Sequence, residues 1–131
     1  MKKNFLLLVL LGGIMLVTPS CKQKGCTDVN ACNYDADAEK NDGSCINKGT
    51  VTFWQNSSSS RENTDVIIGT ASSYITADYS SSPNCSASGC ASFTLCPGTY
   101  DYVAEEDSPG LGIWVGTITV TSDGCTKVEL Q

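Results

Sequence analysis

The chain has 131 residues, with 8 Lys+Arg against 14 Asp+Glu, eight Cys and no His. That length holds one modest domain with appendages. The absence of His excludes Ser-His and Cys-His nucleophile pairs, imidazole acid–base catalysis and His-ligated metals, and a formal charge of −6 offers no electrostatic footprint for nucleic acid.

Met1-Lys2-Lys3-Asn4 is a short basic start, and Phe5 to Val17 follows as an apolar run of 13 residues interrupted only by Gly12-Gly13. A basic start, an apolar stretch of about 7–15 residues and a small-residue exit read as an export signal. The run is shorter than the ~20 apolar residues a membrane span needs. The exit Thr18-Pro19-Ser20-Cys21 resembles the lipobox of bacterial lipoproteins, with Thr18 standing where that family usually has a branched aliphatic residue. The resemblance implies a signal helix over 1–20, cleavage before Cys21 and a lipid on Cys21. The alternative is an ordinary secretory signal with Cys21 in a disulfide. Without residues 1–20, six basic residues face 14 acidic ones, a net charge of −8.

Residues 21–48 are dense in Cys, Asp and Asn. The stretch Gly25-Cys26-Thr27-Asp28 … Cys32-Asn33-Tyr34-Asp35 … Asn41-Asp42-Gly43-Ser44-Cys45 resembles a Cys-Thr-Asp…Asn-Tyr-Asp…Asp-Gly-Ser-Cys module of secreted bacterial envelope proteins, which implies a location more than an activity. Two readings of its residues compete. Asp28, Asp35, Asp37, Asn41 and Asp42 could converge on Ca²⁺, which takes about 6–8 oxygens. Asp35 to Glu39 begins like an EF-hand loop, but Lys40 occupies the turn-Gly place and Ile46 the place of the final Glu. Alternatively, Cys26 and Cys45 close a disulfide loop with the acids on its solvated surface and Asn41-Asp42-Gly43 as a turn. Zinc on the three thiols suits an oxidising compartment poorly.

Residues 49–131 turn to Ser, Thr, Val, Ile and aromatics, and only three Leu follow Cys21 (Leu95, Leu111, Leu130). No window has the i, i+3, i+4, i+7 spacing of a sustained amphipathic helix. Short β-branched and aromatic runs between Gly, Pro, Ser and Asp clusters predict strands. They fall at Thr50–Trp54, Thr64–Thr70, Ser73–Asp78, Ser92–Leu95, Thr99–Val103, Gly112–Thr121 and Cys125–Leu130, with Gly116 as a candidate bulge. About seven strands predict an all-β domain, a small antiparallel β-sandwich preceded by a Cys-rich irregular segment. So small a core gains from disulfide staples.

Gly49-Thr50-Val51-Thr52, then Phe93-Thr94-Leu95-Cys96-Pro97-Gly98-Thr99-Tyr100, then Gly116 to Val120 before Val128-Glu129-Leu130, resemble a carboxypeptidase regulatory-like or transthyretin-like sandwich. The strand–Pro-Gly-Thr-Tyr–strand hairpin is the best feature of the match. The resemblance implies an accessory or binding domain without catalysis of its own.

Cys85, Cys90, Cys96 and Cys125 allow three connectivities. The expected pairs are Cys96–Cys125, tying one strand end to the last strand, and Cys85–Cys90, closing the Ser-rich loop, with Cys32 left over. No C-x-x-C supports a thioredoxin-like role. Glu105-Glu106-Asp107 could form a carboxylate pair for glycoside hydrolysis but reads better as an acidic loop before Ser108-Pro109-Gly110. The runs Ser57–Ser60 and Ser80–Ser82 lack a G-x-S-x-G context and read as loops. Trp54, Trp114, Tyr74, Tyr79, Tyr100 and Tyr102 could line a sugar-binding face, or pack in the core and across strands.

The expected protein is therefore a non-enzymatic lipoprotein of the cell envelope, at the outer membrane, presenting a sandwich to a protein or glycan partner. The absence of an acidic cluster around Lys22-Gln23-Lys24 favours the periplasmic side. No cofactor is expected beyond the calcium alternative. The rival functions are a calcium-dependent adhesion or structural module and a small hydrolase using Glu105 and Glu106.

Overall fold

Alternation in Gly49-Thr50-Val51-Thr52-Phe53-Trp54-Gln55 sends Val51, Phe53 and Gln55 to one side of a strand and Thr52 and Trp54 to the other, yet all five are buried. A strand buried on both faces must lie inside a sheet that is covered twice. The computed structural model, which describes residues 22–56, 63–107 and 112–131, shows how this is achieved. The expected signal segment 1–20, its helix, Cys21 and the Ser57–Ser60 run lie outside the described residues.

The described residues contain no helix. The elements are β1 (Lys24–Gly25), β2 (Lys40–Asn41), β3 (Gly49–Gln55), β4 (Thr64–Ile68), β5 (Ala71–Ile75), β6 (Ala91–Leu95), β7 (Gly98–Glu106), β8 (Ile113–Val120) and β9 (Cys125–Leu130). β1 and β2 form a small parallel pair. The other seven build two sheets, ordered β6-β3-β9 and β5-β4-β7-β8. Their inner faces share one core of Val51, Phe53, Val66, Ile68, Ile75, Ala91, Phe93, Ala104, Ile118, Val120 and Leu130. The all-β class and the packing of two sheets follow the expectation from sequence.

Phe53 sits at the centre. Its ring meets Phe93 edge-on at 6.1 Å within its own sheet and Tyr102 of the facing sheet at 4.8 Å. Beside it the buried Gln55 amide donates to the buried Thr64 hydroxyl at 2.9 Å, a polar link between the sheets. Truncating either side chain would leave the other without a partner in a dry site, at a cost of about 1–3 kcal/mol.

Three expectations need correction. The sandwich is not purely antiparallel: β3 and β9 run parallel from Thr50↔Cys125 to Gln55↔Leu130. β8 ends beside Gly98 in the four-stranded sheet, and the turn through Ser122-Asp123 delivers β9 to the end where β3 also starts. The two strands therefore run the same way. Cys96-Pro97 does not join a hairpin, because β6 and β7 belong to different sheets; the short connection passes over the edge of the core, and the Tyr100 hydroxyl secures it by donating to the Cys96 carbonyl at 2.8 Å. Nor does Gly116 form a bulge. The β7–β8 register is unbroken from Gly98↔Val120 to Glu105↔Ile113, and Gly116 lies opposite Tyr102. A Cβ there would come within 2.9 Å of the Tyr102 ring, so the glycine makes room for an aromatic that reaches Phe53.

The Ser-rich segment 76–90 leaves β5, runs along the outer side of the three-stranded sheet and returns to β6. The Ser86 amide donates to Thr52 Oγ1 at 2.9 Å, and the Tyr79 amide donates to the Gln55 carbonyl at 3.0 Å. This segment is the second cover that buries Thr52 and Trp54.

Removing the central ring tests the core directly. Phe53→Ala is expected to lower unfolding stability by about 3–5 kcal/mol, read as a reduced urea midpoint with little change in slope. A loss below about 1 kcal/mol would show that Phe53 does not organise the core.

Candidate functional site

The Cys-rich segment 22–48 has almost no core of its own, and its shape comes from local side-chain-to-backbone bonds. Asp28, Asp35, Asn41 and Asp42 each turn a side-chain oxygen onto the amide two residues ahead, at 2.9–3.0 Å. Such Asx turns fold the chain without a helix or sheet. Asn33 bridges two strands of the coil: its amide nitrogen donates to the Ser44 carbonyl and its oxygen accepts from the Ile46 amide, both at 2.7 Å. Cys26 is the buried centre and is bonded to Cys45, as expected, with Cα atoms 4.8 Å apart.

The five candidate calcium ligands are accordingly turn formers, with Asp37 supplying the amide that Asp35 caps. Among the described residues no group of three or more His, Cys, Asp or Glu is placed to hold a metal ion. Asp42 is fully exposed, and its hydrogen bonds from Ser44 hold its carboxyl below the ordinary carboxylate range. The exposed Lys22–Glu39 pair, at 3.9 Å, adds little.

The collar is welded to the sandwich. Cys32 is bonded to Cys96, 64 residues away, with Cα atoms 5.6 Å apart. The Asn47 amide donates to Asp123 at 3.0 Å, and the Asp123 amide donates to the Lys48 carbonyl at 3.3 Å. All these contacts lie at one end of the sandwich, where β3 starts, β6 stops and β9 starts. The third bond, Cys85–Cys125, fastens the 76–90 segment to the last strand.

The expected Cys96–Cys125 and Cys85–Cys90 bonds are therefore absent, and Cys32 is not left over. Cys96 and Cys125 flank opposite edges of the three-stranded sheet, with β3 between them. Two strand spacings amount to about 10 Å, beyond the ~7 Å that a disulfide spans. Cys85 and Cys90 are separated by the fold of their own segment: Cys85 reaches β9, whereas Cys90 lies just before Ala91, whose partner is Phe53. Among the described residues the free cysteine is Cys90, half-buried, and burial pushes its thiol up against a smaller opposing effect of a Tyr79 hydrogen bond.

The remaining candidates do not converge. Neighbouring Glu105 and Glu106 alternate across β7: Glu105 is exposed, while Glu106 accepts from the Gly112 amide at 2.8 Å and ties the two ends of the β7–β8 connection. Asp107 is held through its own amide to the Asn63 carbonyl. The six aromatics share no platform. Trp54 is under the 76–90 segment; Trp114 Nε1 donates to the Gln131 carbonyl at 2.6 Å; Tyr79 donates to the Ser88 carbonyl at 2.6 Å; Tyr100 and Tyr102 pack on the core. Tyr74 alone of the six is exposed, at 49 %.

What sequence reading missed is the outer face of the four-stranded sheet, where Ile113 and Val115 stand 68 % and 72 % exposed. Their alternation with Trp114, Ile118 and Val120 was the available signal: β8 is apolar toward both sides at its start. No family model and no curated protein sequence matches the chain.

Two measurements test the covalent frame. Replacing both Cys32 and Cys96 by Ala should lower stability by about 4 kcal/mol, the loop-closure value for this separation, while the strand signal in circular dichroism persists. An unchanged midpoint would mean that the weld contributes nothing. Because only the thiolate attacks an alkylating agent, iodoacetamide should modify Cys90 much more slowly in native than in denatured protein at neutral pH. Peptide mapping showing equal rates would contradict its burial.

Proposed function

We propose that the protein is a lipid-anchored module of the cell envelope, at the outer membrane, that works by binding and not by catalysis. The observation that carries this reading is the weld between the Cys-rich collar and the sandwich. Only Lys22 and Gln23 separate Cys21 from β1, a reach of about 10 Å when extended. From β1 onward the chain is fixed through Cys26–Cys45 and Cys32–Cys96. A lipid on Cys21 would therefore hold a rigid body, collar end down, without a flexible spacer.

Charge supports that orientation. Lys24 and Lys40 are direct partners in the β1–β2 pair, and Lys22 precedes them. These cations would lie at anionic headgroups and give the second attraction that durable anchoring by acyl chains requires. The seven strands in sheets of three and four suit the resemblance to a carboxypeptidase regulatory-like or transthyretin-like domain, and with it the role of an accessory module. Tethering would raise the sandwich's effective concentration for a partner at the same surface.

The test is the mature N-terminus. Mass spectrometry of the membrane-extracted protein should find Cys21 first and carrying acyl groups, and Cys21→Ala should move the protein from the membrane to the soluble fraction. An unmodified Cys21, or cleavage elsewhere, would overturn the anchor.

A further inference from the structure

The outer face of the four-stranded sheet gathers like charges and exposed aliphatic side chains that no described residue offsets. Register places Ser72, Ile67, Val103 and Val115 side by side across β5, β4, β7 and β8. The next row on the same face is Tyr74, Asp65, Glu105 and Ile113. Asp65 and Glu105 are thus direct cross-strand partners, with Cβ atoms about 5 Å apart, a position in which like charges destabilise a sheet. One oxygen of Asp65 is buried without a hydrogen-bond partner. Asp101 adds a third carboxylate two residues beyond Val103, and the described part of this face carries no Lys or Arg. Beside the acids, Ile113 and Val115 expose most of their surface to water.

Resting on the binding-module reading, we propose that this face docks an extended segment of a partner protein whose every second residue faces the sheet, those facing residues being Lys or Arg and aliphatic in turn. A cation above the Asp65–Glu105 pair removes their repulsion. Aliphatic side chains two residues away cover Ile67, Val103 and Val115 and exclude water from the ion pairs, which strengthens them. A second copy does not fit, because a two-fold contact through this face sets one acidic surface lacking described cations against another. An anionic bilayer is repelled for the same reason.

The probe is a labelled, capped hexapeptide Lys-Ser-Val-Ser-Lys-Ser, which sets Lys and Val two residues apart on one side of an extended chain, titrated by fluorescence anisotropy into the full-length protein at low salt, with the peptide carrying Glu in place of Lys and Ca²⁺ as comparisons. The Lys peptide should bind and weaken with added salt, whereas the Glu peptide should not bind. The double variant Asp65→Asn, Glu105→Gln should weaken binding at least tenfold while raising the melting temperature. Val115→Thr should weaken binding with the melting temperature unchanged, and Glu129→Gln on the other sheet should leave both alone. Equal binding of the two peptides, full competition by Ca²⁺, or unaltered binding by the double variant overturns the proposal. A photocrosslinker at position 115 or 127 in producing cells separates the two levels. Adducts at 127 alone overturn this face but leave the binding module, and adducts at neither position overturn both.

Discussion

Strand β3 needs two covers, and the rest of the molecule is arranged around supplying them. On its inner side Val51, Phe53 and Gln55 are covered by the facing sheet, so β4, β7 and β8 turn Val66, Ile68, Ala104, Tyr102, Ile118 and Val120 inward. On its outer side Thr52 and Trp54 are covered by the 76–90 segment, which has few apolar residues and is held by the Thr52 hydroxyl, the Gln55 carbonyl and the Cys85–Cys125 bond. The covalent link matters most there, because a segment so poor in hydrophobic residues gains little from burial. The disulfides thus do the work that a larger core does in longer chains.

How much was legible in the sequence follows from which forces act locally. The strands are local: Thr50–Trp54, Gly112–Thr121 and Cys125–Leu130 announce themselves through alternation and turn residues, and each lies within a residue or two of the observed element. Assignment of strands to sheets is not local. Phe93-Thr94-Leu95 and Thr99-Tyr100 look like the arms of a hairpin until the core is known to lie between them. The same ignorance misplaced the cysteines, since only the order β6-β3-β9 shows that Cys96 and Cys125 are out of reach. Gln55 reads as a polar strand end and is instead buried, because its partner Thr64 comes from the other sheet. The acidic and apolar rows of the outer face were hidden for a related reason. Asp65 is far from Glu105 and Ile113 in the chain and becomes their neighbour only through register.

The charge is as unevenly placed as the cysteines. Residues 21–48 hold four basic and five acidic residues, whereas residues 49–131 hold two basic and nine acidic ones. Nearly all of the chain's excess negative charge thus belongs to the sandwich segment, and the collar is close to neutral.

The three disulfides among the described residues are interlaced. Cys32 lies inside the Cys26–Cys45 loop, and Cys85 lies inside the loop closed by Cys32 and Cys96. An oxidant that joined these six cysteines in chain order would make Cys26–Cys32, Cys45–Cys85 and Cys96–Cys125, and none of them is native. Cys32 has to wait until 64 further residues have arrived and β6 has found β3. Strand pairing must therefore come before covalent locking, and a cell that makes this protein in quantity needs a way to undo bonds formed too early.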